Sequence, residues 1–267
     1  MVSSMSLLGM SVTLVLSIVL PIVFLIILMK GRRGVFPVWA VGTLGFIIPQ
    51  LVIRIPLLQI LGMQPAFIEF AETNAFVYGL LLALTAALFE TTGRLVVFKA
   101  LRKKLSYKTG MAAGAGHGAI ESIMLVGMTY ISNIIISLMI NSNQLSMITM
   151  GNSEVEQELL QLLTETSSGV FFFAGLERVF VMVFHIAMSI LLVYFIMKKK
   201  SLQGFLLVTG FHFALDFILA LMLMQGFTLI YIEGFMFIAA LASLVFIIKI
   251  RPFFGEKQET SVKSEVL

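Results

Sequence analysis

Seven apolar runs, each near the ~20 residues needed to cross a bilayer, limit what this chain can fold into. They cover about 7–29, 35–61, 75–98, 110–140, 170–197, 202–224 and 228–249. In hydrocarbon each backbone N–H and C=O must find its partner internally, so such runs are helices. The expected fold is all-α, a polytopic membrane bundle of about seven transmembrane helices. Only 12% of the residues are charged, against roughly 25% in soluble domains, so a soluble fold is excluded. The second, fourth and fifth runs exceed the hydrocarbon thickness, which predicts tilt, kinks or interfacial ends. The first is not a cleavable signal: no positive charge precedes it and no A-x-A site follows.

The basic residues predict a topology. Lys30, Arg32 and Arg33 follow the first run. Lys99, Arg102, Lys103, Lys104 and Lys108 follow the third, and Lys198, Lys199 and Lys200 the fifth. Lys249, Arg251, Lys257 and Lys263 follow the seventh. The alternate loops carry Glu69, Glu72, Glu154, Glu156, Glu158 and Glu165 and no basic residue. The positive-inside rule places the N-terminus outside and the C-terminus in the cytoplasm of a multi-pass cell-membrane protein. The net charge of +4 belongs to these juxtamembrane clusters, which suit an anionic lipid bilayer and not nucleic acid. Residues 1–254 read as a single transmembrane domain whose motif-bearing core is about 75–224, and 255–267 as a disordered cytoplasmic tail. Within the polar loop at about 141–169, Val155, Leu159, Leu162 and Leu163 recur at helical spacing, predicting a short surface helix. Nothing in the sequence specifies an oligomeric state.

Function is read from ionisable residues inside the spans, since each costs at least ~2.5–3.5 kcal/mol there. Those singled out are Arg54, Glu90, Arg94, His117, Glu121, Glu177, Arg178, His185, His212 and Asp216, and they include all three histidines. Arg54 lies alone on the second span, where snorkelling or a bond to a carbonyl is expected. The rest fall on the third to sixth spans. A rise of ~1.5 Å per residue from the nearest basic flank puts Glu90 and His117 roughly 14 Å deep, His212 roughly 18 Å, and His185 and Glu121 roughly 20 Å. Asp216 is nearer ~24 Å and Arg94 only about 8 Å, and Glu177 and Arg178 at about 30 Å fall outside that layer unless the fifth span is tilted or broken.

Glu90 and Arg94, His117 and Glu121, and His212 and Asp216 are i,i+4 pairs that share a helix face. A carboxylate one turn from a histidine can orient its ring or join it as a ligand. Gly110, Gly114, Gly116 and Gly118 surround the first histidine and allow close helix approach. The layer suggests a metal site. Interhelical hydrogen bonding without metal is the bland alternative, and a proton- or ion-coupled transporter or a non-catalytic scaffold are the functional ones. Cysteine is absent, which excludes thiolate ligands and a cysteine nucleophile, and Asp216 as the sole aspartate excludes an aspartyl dyad.

In order along the chain stand Glu-x-x-x-Arg (Glu90, Arg94), Gly-His-Gly-x-x-Glu (His117, Glu121), Glu-Arg-x6-His (Glu177, Arg178, His185) and His-x-x-x-Asp (His212, Asp216). This succession resembles the YhfC-type intramembrane metalloproteases, within the superfamily of CAAX prenyl endopeptidases and bacteriocin-processing proteins that includes PrsW. Two positions depart from that superfamily's pattern: Phe89 leaves a single glutamate where a pair is usual, and Ala113 stands where phenylalanine is usual. The resemblance implies an endopeptidase acting on a membrane protein or peptide substrate, with a divalent metal, zinc being expected. It implies His117 and His212 as primary ligands, with Asp216 or Glu121 assisting, and Glu90 as the base that activates water beside Arg94. His185 is implied as a third ligand or an oxyanion stabiliser.

Overall fold

The computed structural model describes residues 1–30 and 33–255. Arg32 of the first basic cluster, Lys257, Lys263 and the tail from 256 onward lie outside the described residues. Among the described residues, seven helices are long and apolar enough to cross a membrane: Ser4–Met29, Val35–Gly62, Ala75–Ala100, Tyr107–Asn141, Ser168–Met197, Ser201–Met224 and Leu229–Phe254. They are called the first to seventh spans below, and no strand occurs among the described residues. The all-α polytopic fold is as expected. Alternation puts Lys30, Arg102–Lys104 and Lys198–Lys200 on one side of the bundle and Glu154–Glu165 on the other.

Between the fourth and fifth spans a helix at Ser153–Glu165 matches the expected amphipathic segment. Asn152 caps it, its Oδ1 accepting from the backbone N–H of Glu154 and Val155 at 3.1 and 3.3 Å. Glu154 and Glu156 sit in its first turn, favourable at the positive end of the helix dipole. A second connecting helix, Pro65–Thr73, lies outside the sequence expectation: its nine residues, with Glu69 and Glu72 among them, are too few to show a period.

The fifth span is the axis of the bundle. Its most apolar stretch is 61% buried inside the protein, against 22% for the first, second, fourth and sixth spans, whose apolar surface is left for lipid. It packs on the fourth, seventh, first and sixth spans. The contact with the fourth span is made by glycine. A Cβ on Gly110, Gly114 or Gly118 would meet the Cα of Ile190, Ile186 or Met182 at 3.0, 2.8 and 3.1 Å, an antiparallel ladder with four-residue steps on both helices. On the other flank of the fourth span, a Cβ on Gly42 would run into the backbone of Ala113, and one on Gly116 into the carbonyl of Trp39. The fourth span is therefore clasped between the second and fifth at backbone distance. Ala113 is 2% exposed in that clasp, which accounts for a small residue at this position.

Three spans contain wide, π-helical turns: Val15–Val19, Ile47–Arg54 and Ser122–Gly127. The first and third touch, the Ser122 hydroxyl donating to the Ser17 carbonyl at 3.1 Å. Such turns mark places where the regular ladder yields to a local packing or functional demand. Ser122–Gly127 begins immediately after Glu121, and Ile47–Arg54 carries Gln50 and Arg54.

Candidate metal centre

The third span delivers Glu90 and Arg94 to the bundle interior, one turn apart, with Arg94 Nη2 3.3 Å from Glu90 Oε2. The fourth span brings His117, whose Nε2 lies 3.0 Å from the same oxygen. From the sixth span His212 Nδ1 approaches it to 3.6 Å, and from the fifth His185 Nδ1 to 3.9 Å. One carboxylate oxygen thus faces three imidazoles and a guanidinium drawn from four helices. The His117 and His185 ring centroids are 5.0 Å apart and those of His185 and His212 5.5 Å. Phe46 packs edge-on against His117, and Phe184 against His212 and His185, forming apolar walls. Glu90, Arg94, His117, His185 and His212 are all at most 4% exposed.

A second tier lies beyond His185. Glu121 Oε2 is 2.6 Å from His185 Nε2, and Glu121 Oε1 is 3.5 Å from Arg178 Nη1. Arg178 also pairs with Glu177. The expected layer is present, with one correction. Glu177 and Arg178 were placed outside it by depth, but the long arginine side chain reaches down to Glu121 and ties the two tiers together.

The i,i+4 pairs divide. Glu90–Arg94 and His212–Asp216 form within their own helices, the latter at 3.4 Å. Glu121 instead meets His185 across the fourth–fifth interface, while His117 turns to Glu90. Gly114 and Gly118 bring the fifth span so near that His185 is within reach of Glu121, and the cross-helix pair forms.

Which atoms could hold a cation follows from donors and acceptors. Single ligand atoms of Glu90, His117, Glu121 and His185 all lie within 4.8 Å of one another. Ligand bonds of ~2.0–2.2 Å allow donor atoms about 4 Å apart, so modest contraction would close this group on one ion. Arg94 bonds His185 Nδ1. A guanidinium only donates, so Nδ1 accepts and the ring hydrogen sits on Nε2, toward Glu121. Both nitrogens of His185 are engaged. His212 differs: Nε2 faces Asp216, and the buried Nδ1 has no hydrogen-bond partner among the described residues although Glu90 Oε2 stands 3.6 Å away. An acceptor nitrogen facing a carboxylate oxygen across such a gap is the donor arrangement a cation satisfies. His117 Nδ1 is likewise buried without a hydrogen-bond partner among the described residues, so the residues fit a divalent metal. Asp216, with its side chain 30% exposed, reaches the centre only through His212.

Two polar residues escaped the sequence reading. Gln50 donates from Nε2 to Glu90 Oε1 at 2.7 Å; as an uncharged amide beside a proline it gave no signal. Glu233, on the seventh span, is 5% exposed with Oε2 unpartnered among the described residues. Its position five residues into an apolar run was the signal available. Arg54 bonds the Leu82 carbonyl at 2.7 Å, one of the two roles expected of it.

Fold and site together define an all-helical multi-pass membrane protein with a buried histidine–glutamate cluster able to hold a metal. Residues 16–237 match the YhfC intramembrane metalloprotease family, and the chain belongs to that family. It is 29% identical over 187 residues, 67% of this chain and 70% of the other, to the uncharacterized membrane protein YhfC of Bacillus subtilis (strain 168). No solved structure matches it.

Proposed function

We propose that this chain is an intramembrane metal-dependent endopeptidase, hydrolysing a peptide bond in or near the bilayer with a water activated by Glu90. The observation that carries the reading is the convergence of three imidazoles on Glu90 Oε2 in the bundle interior. A site built only for helix pairing needs one partner per carboxylate oxygen, not four groups from four helices.

A divalent cation here, zinc in our reading, would supply Lewis-acid polarisation of the scissile carbonyl and of a water. His117 and His212 would hold it through their Nδ1 atoms, which the protein leaves without a partner among the described residues, and Asp216 orients the His212 ring from behind as carboxylates orient metal-binding histidines. Glu90 Oε2 lies beside both rings, within reach of a water placed between them, and takes its proton as general base. Arg94 Nη2, 3.3 Å from that oxygen, places a positive charge beside the carboxylate in a site with little water. His185, held between Arg94 and Glu121, fixes the guanidinium's direction. Phe46 and Phe184 exclude bulk water around the reacting groups.

A second ligand set, Glu90, His117, Glu121 and His185, is favoured by mutual distance. Zinc titration of the purified protein separates the two. His212→Ala is expected to abolish stoichiometric zinc uptake, and His185→Ala to weaken it roughly 10–100-fold as a supporting residue. The reverse order favours the second set. Less than one equivalent of zinc in the wild type after repletion overturns both.

A further inference from the structure

The second span carries none of the motif residues, yet its Gln50 reaches the carboxylate at the centre. We propose that Gln50 is a positioning residue that pins one oxygen of Glu90 and so dedicates the other to the histidine cluster. The proposal rests on the reading of Glu90 as the water-activating group.

The orientation of the amide is forced. Arg54 Nη1 lies 3.2 Å from Gln50 Oε1, and a guanidinium has only donors, so the oxygen of the amide must face it. The amide NH2 then points to Glu90 Oε1, at 2.7 Å. Arg54 cannot swing away to release the lock. Its Nε donates to Thr85 Oγ1 at 3.0 Å and its Nη2 to the Leu82 carbonyl at 2.7 Å, both on the third span that carries Glu90. The Thr85 hydroxyl is in turn committed to its own helix, donating to the Leu81 carbonyl at 2.8 Å, which leaves its lone pairs for the arginine. The relay closes on itself: third span to Arg54, Arg54 to Gln50, Gln50 back to the third span.

The backbone explains how an amide reaches so deep. A Cβ on Gly93, three residues beyond Glu90, would fall on the Gly45 carbonyl and 2.7 Å from Pro49 Cγ, so the second and third spans touch at backbone distance beside the carboxylate. The wide helical turns of Ile47–Arg54 begin at that contact. Gln50 itself is 3% exposed. With Oε1 held, the carboxylate cannot rotate about its last bond, and Oε2 stays on the histidines. A buried charge held in one pose needs no reorganisation during reaction, which is what a water-activating group requires.

The test uses the full-length protein in lipid vesicles and two readouts. The carboxylate bands of Glu90 are isolated by isotope-edited infrared difference spectra against Glu90→Gln, and zinc affinity is measured by competition with a chelator. Gln50→Leu, which keeps the volume and removes the bond, is expected to shift the Glu90 bands and weaken zinc roughly 10–100-fold. Arg54→Met leaves Gln50 in place with a free amide; it should give a smaller shift in the same direction, and it stands in should Gln50→Leu not fold. Glu90 bands unchanged in both variants overturn the proposal. A wild type that takes up no zinc overturns the metal reading while the infrared shift still decides the role of Gln50.

Discussion

The protein holds two groups of buried charge, and they are built differently. Around Glu90 both carboxylate oxygens are engaged: Oε1 by Gln50, Oε2 by Arg94 and three histidines, with contributions from five consecutive spans. Around Arg178 a single long side chain serves Glu121 and Glu177, the latter with its side chain 30% exposed, and Glu233 lies within electrostatic range with one oxygen unpartnered among the described residues. The inner group is short-armed and redundantly connected, so losing one bond leaves the others to hold the geometry. The outer group hangs on one arginine. The ring nitrogens the inner group leaves without a partner among the described residues, His117 Nδ1 and His212 Nδ1, are the ones a cation would take, whereas in the outer group the unpartnered Glu233 oxygen has no such role.

If the inner group is where chemistry occurs, its largest sensitivity should be kinetic. Glu90→Gln retains shape and hydrogen-bonding capacity but cannot take a proton, and it is expected to lower cleavage of a membrane-embedded peptide by roughly 100–10,000-fold with the fold intact. Undiminished cleavage would erase the distinction between the two groups. The outer group should respond in stability instead. Arg178→Leu strands Glu121 and Glu177 and is expected to cost about 2–3 kcal/mol, below the ~3–5 kcal/mol of a fully buried pair because Arg178 is partly exposed. Thermal unfolding in detergent measures it, and an unchanged midpoint would mean that His185 alone suffices for Glu121. The smallest effect has the opposite sign. Glu233→Leu removes a buried oxygen without a partner and is expected to stabilise by about 1 kcal/mol in the same assay. A loss of stability there would show Glu233 to be a working member of the outer group.

The spans were legible because length and hydropathy act locally: expected and observed ends agree within five residues, and the largest gap, at the seventh span, arises because a helical turn at Arg251–Phe254 continues past Lys249. The inner residues were legible because a charge in an apolar run stands out. Gln50 was invisible for the converse reason, since an uncharged amide carries little signal in such a run. The partnership of Glu121 was misleading: one turn from His117 on its own helix, it is claimed by His185 on the next. His185, the least certain of the three histidines by sequence, proves to be the one with both nitrogens engaged.

By itself the sequence determined that the chain lies in a membrane, that seven helices cross it, and that four of them carry ionisable groups to similar depth. The absence of water in hydrocarbon dictates the first two, and a rise of ~1.5 Å per residue the third. Only the tertiary structure decided which atoms face one another: Glu90 Oε2 toward three rings, Oε1 toward Gln50, and Glu121 across to His185. Depth is a property of one helix. Facing depends on helix rotation and separation, set here where Gly42, Gly93, Gly114 and Gly118 let backbones touch, and no single segment encodes that.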